Sequence, residues 1–232
     1  MKRKIPNINA RDFGTILNLN PYQTPFNLLE EKIEKKFPFF GNKFTEHGNR
    51  YEQVAIDNYS SVMGIKVDSI QKNIKHPEYE WITGRCDGII SSEYNNSSKK
   101  ITSKKRKITD ECVDKKIDNN IRILEIKCPL KKNRSEPLTL ENIPKYYWSQ
   151  CQVYMNMINC EKTHYVEFYI EPNACEKSGV LHYIEIERDY KWWNESLPKI
   201  RSFYEEIKKY HELGSLDTHP VRIAETKWMN NL

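Results

Sequence analysis

Gly84-Arg85-Cys86-Asp87-Gly88 and Ile123-Leu124-Glu125-Ile126-Lys127-Cys128-Pro129 read as the two arms of one hairpin, separated by a long polar insertion. Alternation along the second arm puts Ile123, Glu125 and Lys127 on one face and Leu124, Ile126 and Cys128 on the other, and Pro129 ends the strand. Taken alone, Glu125 and Lys127 could be a surface cross-strand ion pair. The strand around them is largely apolar, however, and a carboxylate buried there is costly unless a metal or a lysine compensates it. Asp87 and Glu125 together offer the oxygen ligands that a hard divalent cation takes, with Lys127 placed beside an attacking water.

Outward from this pair, helical and strand patterns follow one another along the whole chain. Thr24-Pro25 is an N-cap followed by a first-turn proline, and Phe26, Leu29 and Ile33 continue at helical spacing to about Phe37. A second helix runs from about Thr45 to Met63 and stops at Gly64, with Tyr51, Val54, Ala55, Asn58 and Val62 facing inward and Glu52 at the margin. Ile65 to Ile74 and Tyr79 to Ile90 read as strands, the second bent at Gly84. Residues 91–120 turn polar and basic, with Lys104-Lys105-Arg106-Lys107 at their centre, and read as an exposed insertion. A helix begins near Pro144 and carries Tyr147, Gln150 and Tyr154 at i, i+3 and i+7. Strands at about Thr163 to Ile170 and Val180 to Ile186 precede a long helix capped by Asp189, kinked at Pro198 and ended near Gly214. The order α, α, β, β, β, α, β, β, α predicts an α/β (α+β) fold, a mixed central sheet flanked by helices, in a single domain spanning 1–232.

At 232 residues the chain can bury a sizeable core, and its net charge of +5 is compatible with a polyanionic partner without requiring one. The six cysteines form no CxxC and no finger-like Cys/His spacing, which argues against structural zinc and for free thiols. Cys86 and Cys128 are expected as buried thiols on the sheet face opposite the site. Met1-Lys2-Arg3-Lys4 is followed by no apolar segment, and nothing approaches the roughly eighteen apolar residues of a membrane span. These features point to an intracellular protein with no membrane partner.

Hydrolysis of a phosphodiester at neutral pH needs an activated water and a cation to neutralise charge on the phosphorus oxygens. Asp87 followed by Glu125-x-Lys127 is also the core spacing of the PD-(D/E)xK nuclease superfamily, with Cys86 where that family has proline. Within it the chain resembles the phage lambda exonuclease group, the YqaJ-like viral recombinases. The resemblance covers most of the length and rests on His47-Gly48-Asn49-Arg50-Tyr51-Glu52, Cys86-Asp87-Gly88, Leu124-Glu125-Ile126-Lys127-Cys128-Pro129, Tyr147-Trp148-Ser149-Gln150-Cys151-Gln152-Val153-Tyr154 and Leu181 to Asp189, in that order.

The resemblance implies a restriction-endonuclease-like core in which Asp87, Glu125 and the backbone carbonyl of Ile126 hold Mg2+ (or Mn2+), as one or two ions, with Glu52 reaching the same cluster. Lys127 would orient or deprotonate the water. Gln150 and Tyr154 match the family's QxxxY helix motif and, with Tyr147, would position the scissile phosphate or the lysine. Lys4 or Arg11 falls where the family grips a terminal phosphate. The implied activity is 5′ to 3′ exonuclease digestion of double-stranded DNA ends for viral recombination or repair. A single-strand annealing or recombination protein is the implied partner, a homotrimer the implied assembly, and the infected host's cytoplasm or nucleus the implied location. For Lys104, Lys105 and Arg106, a solvated loop, contact with the DNA backbone and a nuclear-import signal all remain open. Two other functions compete: a structure-specific endonuclease using the same residues, and a non-catalytic DNA-binding module.

Overall fold

The computed structural model describes residues 4–35, 41–91, 121–131, 136–170, 175 and 179–229. In chain order these form β1 (Ile8–Asn9), α1 (Asp12–Ile16), α2 (Pro25–Glu34), α3 (Lys43–Met63), β2 (Ser69–Lys75), β3 (Ile82–Ser91), β4 (Ile121–Lys127), α4 (Lys145–Ile158), β5 (Lys162–Tyr169), β6 (Val180–Glu187), α5 (Tyr190–Leu213) and α6 (Pro220–Met229). The basic run containing Lys104, Lys105 and Arg106 lies outside the described residues.

Local chemistry sets the helix ends. The Thr24 hydroxyl accepts the Asn27 N–H at 3.2 Å while the Asn27 side chain accepts the Thr24 N–H, a reciprocal cap that starts α2. Asn42 caps α3 through the N–H groups of Phe44 and Thr45, and Asp189 caps α5 through Trp192 N–H at 2.8 Å. Gly64 and Gly214 end α3 and α5 at φ of 63° and 75°, where a side chain would be strained. Helix α5 runs through Pro198, which removes one internal hydrogen bond.

The strands form one mixed sheet in the order β1-β3-β4-β5-β6, with β2 also paired to β3. β1 with β3 and β4 with β5 are parallel, and the other pairs are antiparallel. A parallel β4–β5 pair needs a crossover connection, and α4 supplies it. The larger core joins Ile82, Cys86 and Ile123 of the sheet to Phe13 of α1, Leu28 and Leu29 of α2, Val153 and Tyr154 of α4 and Ile200 and Phe203 of α5. On the other face, Ala55, Ile56 and Tyr59 of α3 pack on Ile90, Leu124, Ile126 and Val166. Leu124 and Ile126 thus bury against α3 while Ile123 buries towards α4, as period-two alternation requires.

Three elements go beyond the sequence pattern. β1 has two residues and α1 has five, too short to show a period, and α6 buries none of its residues. Helix α6 is tethered instead by Arg222, which pairs with Glu30 and, at 3.2 Å, with Glu34 of α2. The expected bend at Gly84 also moves. Cys86 packs with the α4-side core, whereas Gly88 abuts Val67 and Leu124 on the α3 side, so the facing of β3 changes at Asp87. Opposite lies Gln71 of β2, a non-glycine residue at φ 49°. This facing change corrects the expectation for Cys86, which shares the Glu125 side of the sheet while Cys128 packs with the α3-side core. No helix among the described residues is long and apolar enough to cross a membrane.

Candidate active site

The site forms where β3 and β4 part. Their pairing runs from Ser91 opposite Ile121 to Gly88 opposite Leu124 and stops there. One residue further on, the Asp87 carboxylate accepts the Ile126 N–H at 2.7 Å, taking over the role of the missing ladder bond. The fork therefore holds Asp87, Glu125 and the Ile126 backbone together.

Glu125 is 1% exposed. Its Oε1 accepts from the Lys127 ammonium, and its Oε2 is buried with no hydrogen-bond partner among the described residues. A carboxylate oxygen left unmatched away from water costs on the order of 1–3 kcal/mol or more. Burial, followed by the negative charge of Glu125, pushes the Asp87 carboxyl up to about 8. Burial likewise raises Glu125, with Lys127 opposing it. At Lys127 burial disfavours the charge, but Glu125 and Asp87 outweigh it, and the ammonium is held more firmly protonated than usual. A buried and a half-buried carboxyl thus share one lysine, and the cost of their charges is met by proton uptake. Cys86 and Cys128 are pushed up to about 12, burial being the main cause. The donor set is oxygen, and it fits a hard divalent cation at Asp87, Glu125 and the Ile126 carbonyl.

Glu52 stands apart from this pair. Its Oε1 accepts from Gln71 Nε2 at 2.7 Å, and its charge raises both Asp87 and Glu125. Among the described residues no three His, Cys, Asp or Glu side chains come close enough to form a metal cluster by themselves. Gln71 is the residue that sequence reasoning missed. Glycine or asparagine would have signalled a left-handed position, whereas glutamine in a strand carries no such signal.

Helix α4 braces the fork. Tyr154, 1% exposed, donates from its hydroxyl to the Arg85 carbonyl at 2.8 Å and accepts from Gln150 Nε2 at 3.1 Å. This chain ties α4 to β3 two residues before Asp87. The ring fits because Gly84 has no Cβ: a methyl there would lie 2.5 Å from Tyr154 Cε1. Tyr154 is therefore a buried positioning residue, where the sequence also allowed a DNA contact. Tyr147, half-buried, places its ring 4.7 Å from Lys127 Nζ, a cation–π contact. Arg11 is exposed at the start of α1, close to β3 because the neighbouring Ala10 N–H bonds the Thr83 carbonyl at 2.7 Å, and Lys4 is exposed ahead of β1.

The mixed sheet clasped by helices is also the fold of solved alkaline exonucleases. LHK-Exo in complex with dAMP superposes with a TM-score of 0.65 at 16% identity, covering 94% of this chain and 95% of that one. The phage-related exonuclease of Haemophilus somnus gives 0.55 at 17% identity, over 90% and 95% of the two chains. These likenesses concern the fold. Residues 1–161 match the model of the YqaJ-like viral recombinase domain, and the chain belongs to that family. An uncharacterized protein, R354 of Acanthamoeba polyphaga mimivirus, is 25% identical over 173 residues, 74% of this chain. The match spans 28% of that relative's length.

Proposed function

We propose that the chain is a Mg2+-dependent exonuclease that digests double-stranded DNA from its ends, 5′ to 3′, exposing a single strand for a recombination or annealing partner. The observation that carries the reading is the buried, unmatched Glu125 Oε2 beside Asp87 and the Lys127 ammonium. Family membership and the fold of the alkaline exonucleases support DNA as the substrate. A divalent cation held by Asp87, Glu125 and the Ile126 carbonyl supplies charge neutralisation at the phosphate and lowers the pKa of water.

The remaining work falls to the chain's own side chains. Lys127, whose ammonium pairs with Glu125, orients the attacking water and stabilises negative charge developing on phosphorus oxygens. Gln150 and Tyr154 hold β3 so that Asp87 stays aimed at the fork. Glu52, steered by Gln71, stands ready as an additional oxygen ligand.

End-labelled duplex DNA with Mg2+, bearing 5′-phosphate or 5′-hydroxyl ends, tests this beside closed circular DNA. The expected result is mononucleotide release from the 5′-phosphorylated duplex and no cleavage of circles, with loss of activity in Glu125→Gln. Cleavage of closed circles would instead identify a structure-specific endonuclease. Full activity in Glu125→Gln would remove the site assignment.

A further inference from the structure

Tyr22 is the most exposed large apolar side chain in the described structure, at 83%. Its ring meets Tyr146 edge-on at a centroid distance of 6.2 Å, and Tyr146 lies 4.3 Å from Tyr147, whose ring carries the Lys127 ammonium at 4.7 Å. Three aromatic rings thus run from open solvent to the catalytic lysine.

The loop bearing Tyr22 is built to hold this course. Asn20 Oδ1 accepts the Tyr22 N–H at 3.0 Å, Asn20 Nδ2 donates to the Thr15 hydroxyl at 2.9 Å, and Leu19 N–H donates to the Gly14 carbonyl at 2.8 Å. Gly14 lets α1 lie directly on the start of α4, since a Cβ there would fall 2.5 Å from Tyr146 Cβ. A fixed loop that leaves a tyrosine almost wholly in water gains little folding energy from that ring. A pre-ordered ring, however, loses little entropy on stacking with a ligand.

We propose that Tyr22, Tyr146 and Tyr147 form a stacking track for unpaired nucleobases of the DNA strand that enters the Lys127 side of the site. This rests on the nuclease reading and adds to it a contact surface for single-stranded DNA. Continuity with Lys127 selects nucleobases as the occupant, because the bases flanking a phosphate at the lysine are the flat groups carried to these rings. Exposed Lys145, next in sequence to Tyr146, adds positive charge for the strand's backbone.

Affinity for a duplex with a short single-stranded overhang, measured by fluorescence anisotropy in EDTA to prevent cleavage, tests the track. The overhang is placed on either strand, and the arm that wild type binds more tightly is used. Tyr22→Ala is expected to bind about tenfold more weakly, the loss that removal of one base-stacking ring brings, with an unchanged melting temperature. Tyr22→Phe should bind as wild type does. An abasic overhang should weaken wild type by a similar factor and Tyr22→Ala by no more. Equal affinity of Tyr22→Ala and wild type, or losses that multiply independently on the abasic overhang, overturns the track alone. A wild-type chain that binds no DNA overturns the track and the nuclease reading together.

Discussion

Asp87→Asn should make the metal-free protein more stable while removing its response to a divalent cation. The Asp87 carboxyl sits at about 8 in the folded chain against an ordinary 3.8, burial being the main cause and Glu125 the next. A raised carboxylate means that the folded state binds the extra proton, so stability falls as pH rises from about 4 to about 8. At pH 7 the burden is the gap between 7 and 3.8, about 4 kcal/mol at 1.36 kcal/mol per pH unit. Water entry and side-chain movement reduce this to about 1–2 kcal/mol of net stabilisation on substitution. Asparagine keeps an oxygen to accept the Ile126 N–H now bonded at 2.7 Å, so the fork itself survives. For a chain of this length, each kcal/mol moves the melting temperature by roughly 2–4 °C. Thermal melts in EDTA across pH 5 to 9 should therefore show Asp87→Asn above wild type at pH 8, with the two converging towards pH 5. Adding Mg2+ at about 100 times its dissociation constant should raise wild type by roughly 2.7 kcal/mol and leave the variant nearly unmoved. An Asp87→Asn protein that melts below wild type at pH 8 in EDTA would refute the reasoning, because Asp87 would then be a net stabilising partner of Lys127.

Other substitutions probe the supports of the site. Lys127→Met should strand Glu125 without its counter-charge, lowering turnover by about 100-fold or more and destabilising the chain at pH 8 more than at pH 5, read by single-turnover kinetics and urea melts. Gly84→Ala should cost about 1–3 kcal/mol, since Tyr154 Cε1 lies 2.5 Å from the new methyl; a variant with wild-type stability and turnover would show that the Tyr154 brace is dispensable. Gln71→Gly should relieve the φ 49° backbone and raise stability by up to about 1 kcal/mol, yet increase the Mg2+ concentration needed for half-maximal cleavage because Glu52 loses its 2.7 Å partner. An unchanged Mg2+ requirement would separate Gln71 from metal binding.

Much of the fold is legible in the sequence because its signals are local. Asp189 and Gly214 bracket α5 as their types predict, Gly64 ends α3, and the alternation of Ile123 to Cys128 places β4 between two cores. Where the sequence is silent, the stabilising partner is remote. β1 owes its place to hydrogen bonds with β3, α1 to the bare Cα of Gly14 under Tyr146, and α6 to Arg222 reaching Glu30 and Glu34. None of these elements has a period or a cap strong enough to be seen alone.

The candidate site divides along the same line. Strand periodicity by itself determines that Glu125 and Lys127 share a face, and the spacing that resembles the nuclease family groups Asp87 with them. Only the tertiary structure decides their chemical state. Sequence does not say that β3 and β4 separate just before Asp87, that the Ile126 N–H is thereby freed for its carboxylate, or that one oxygen of Glu125 is buried with no hydrogen-bond partner among the described residues. Protonation and metal affinity depend on distance and exclusion of water, and both are set by chains far apart in sequence closing on one another.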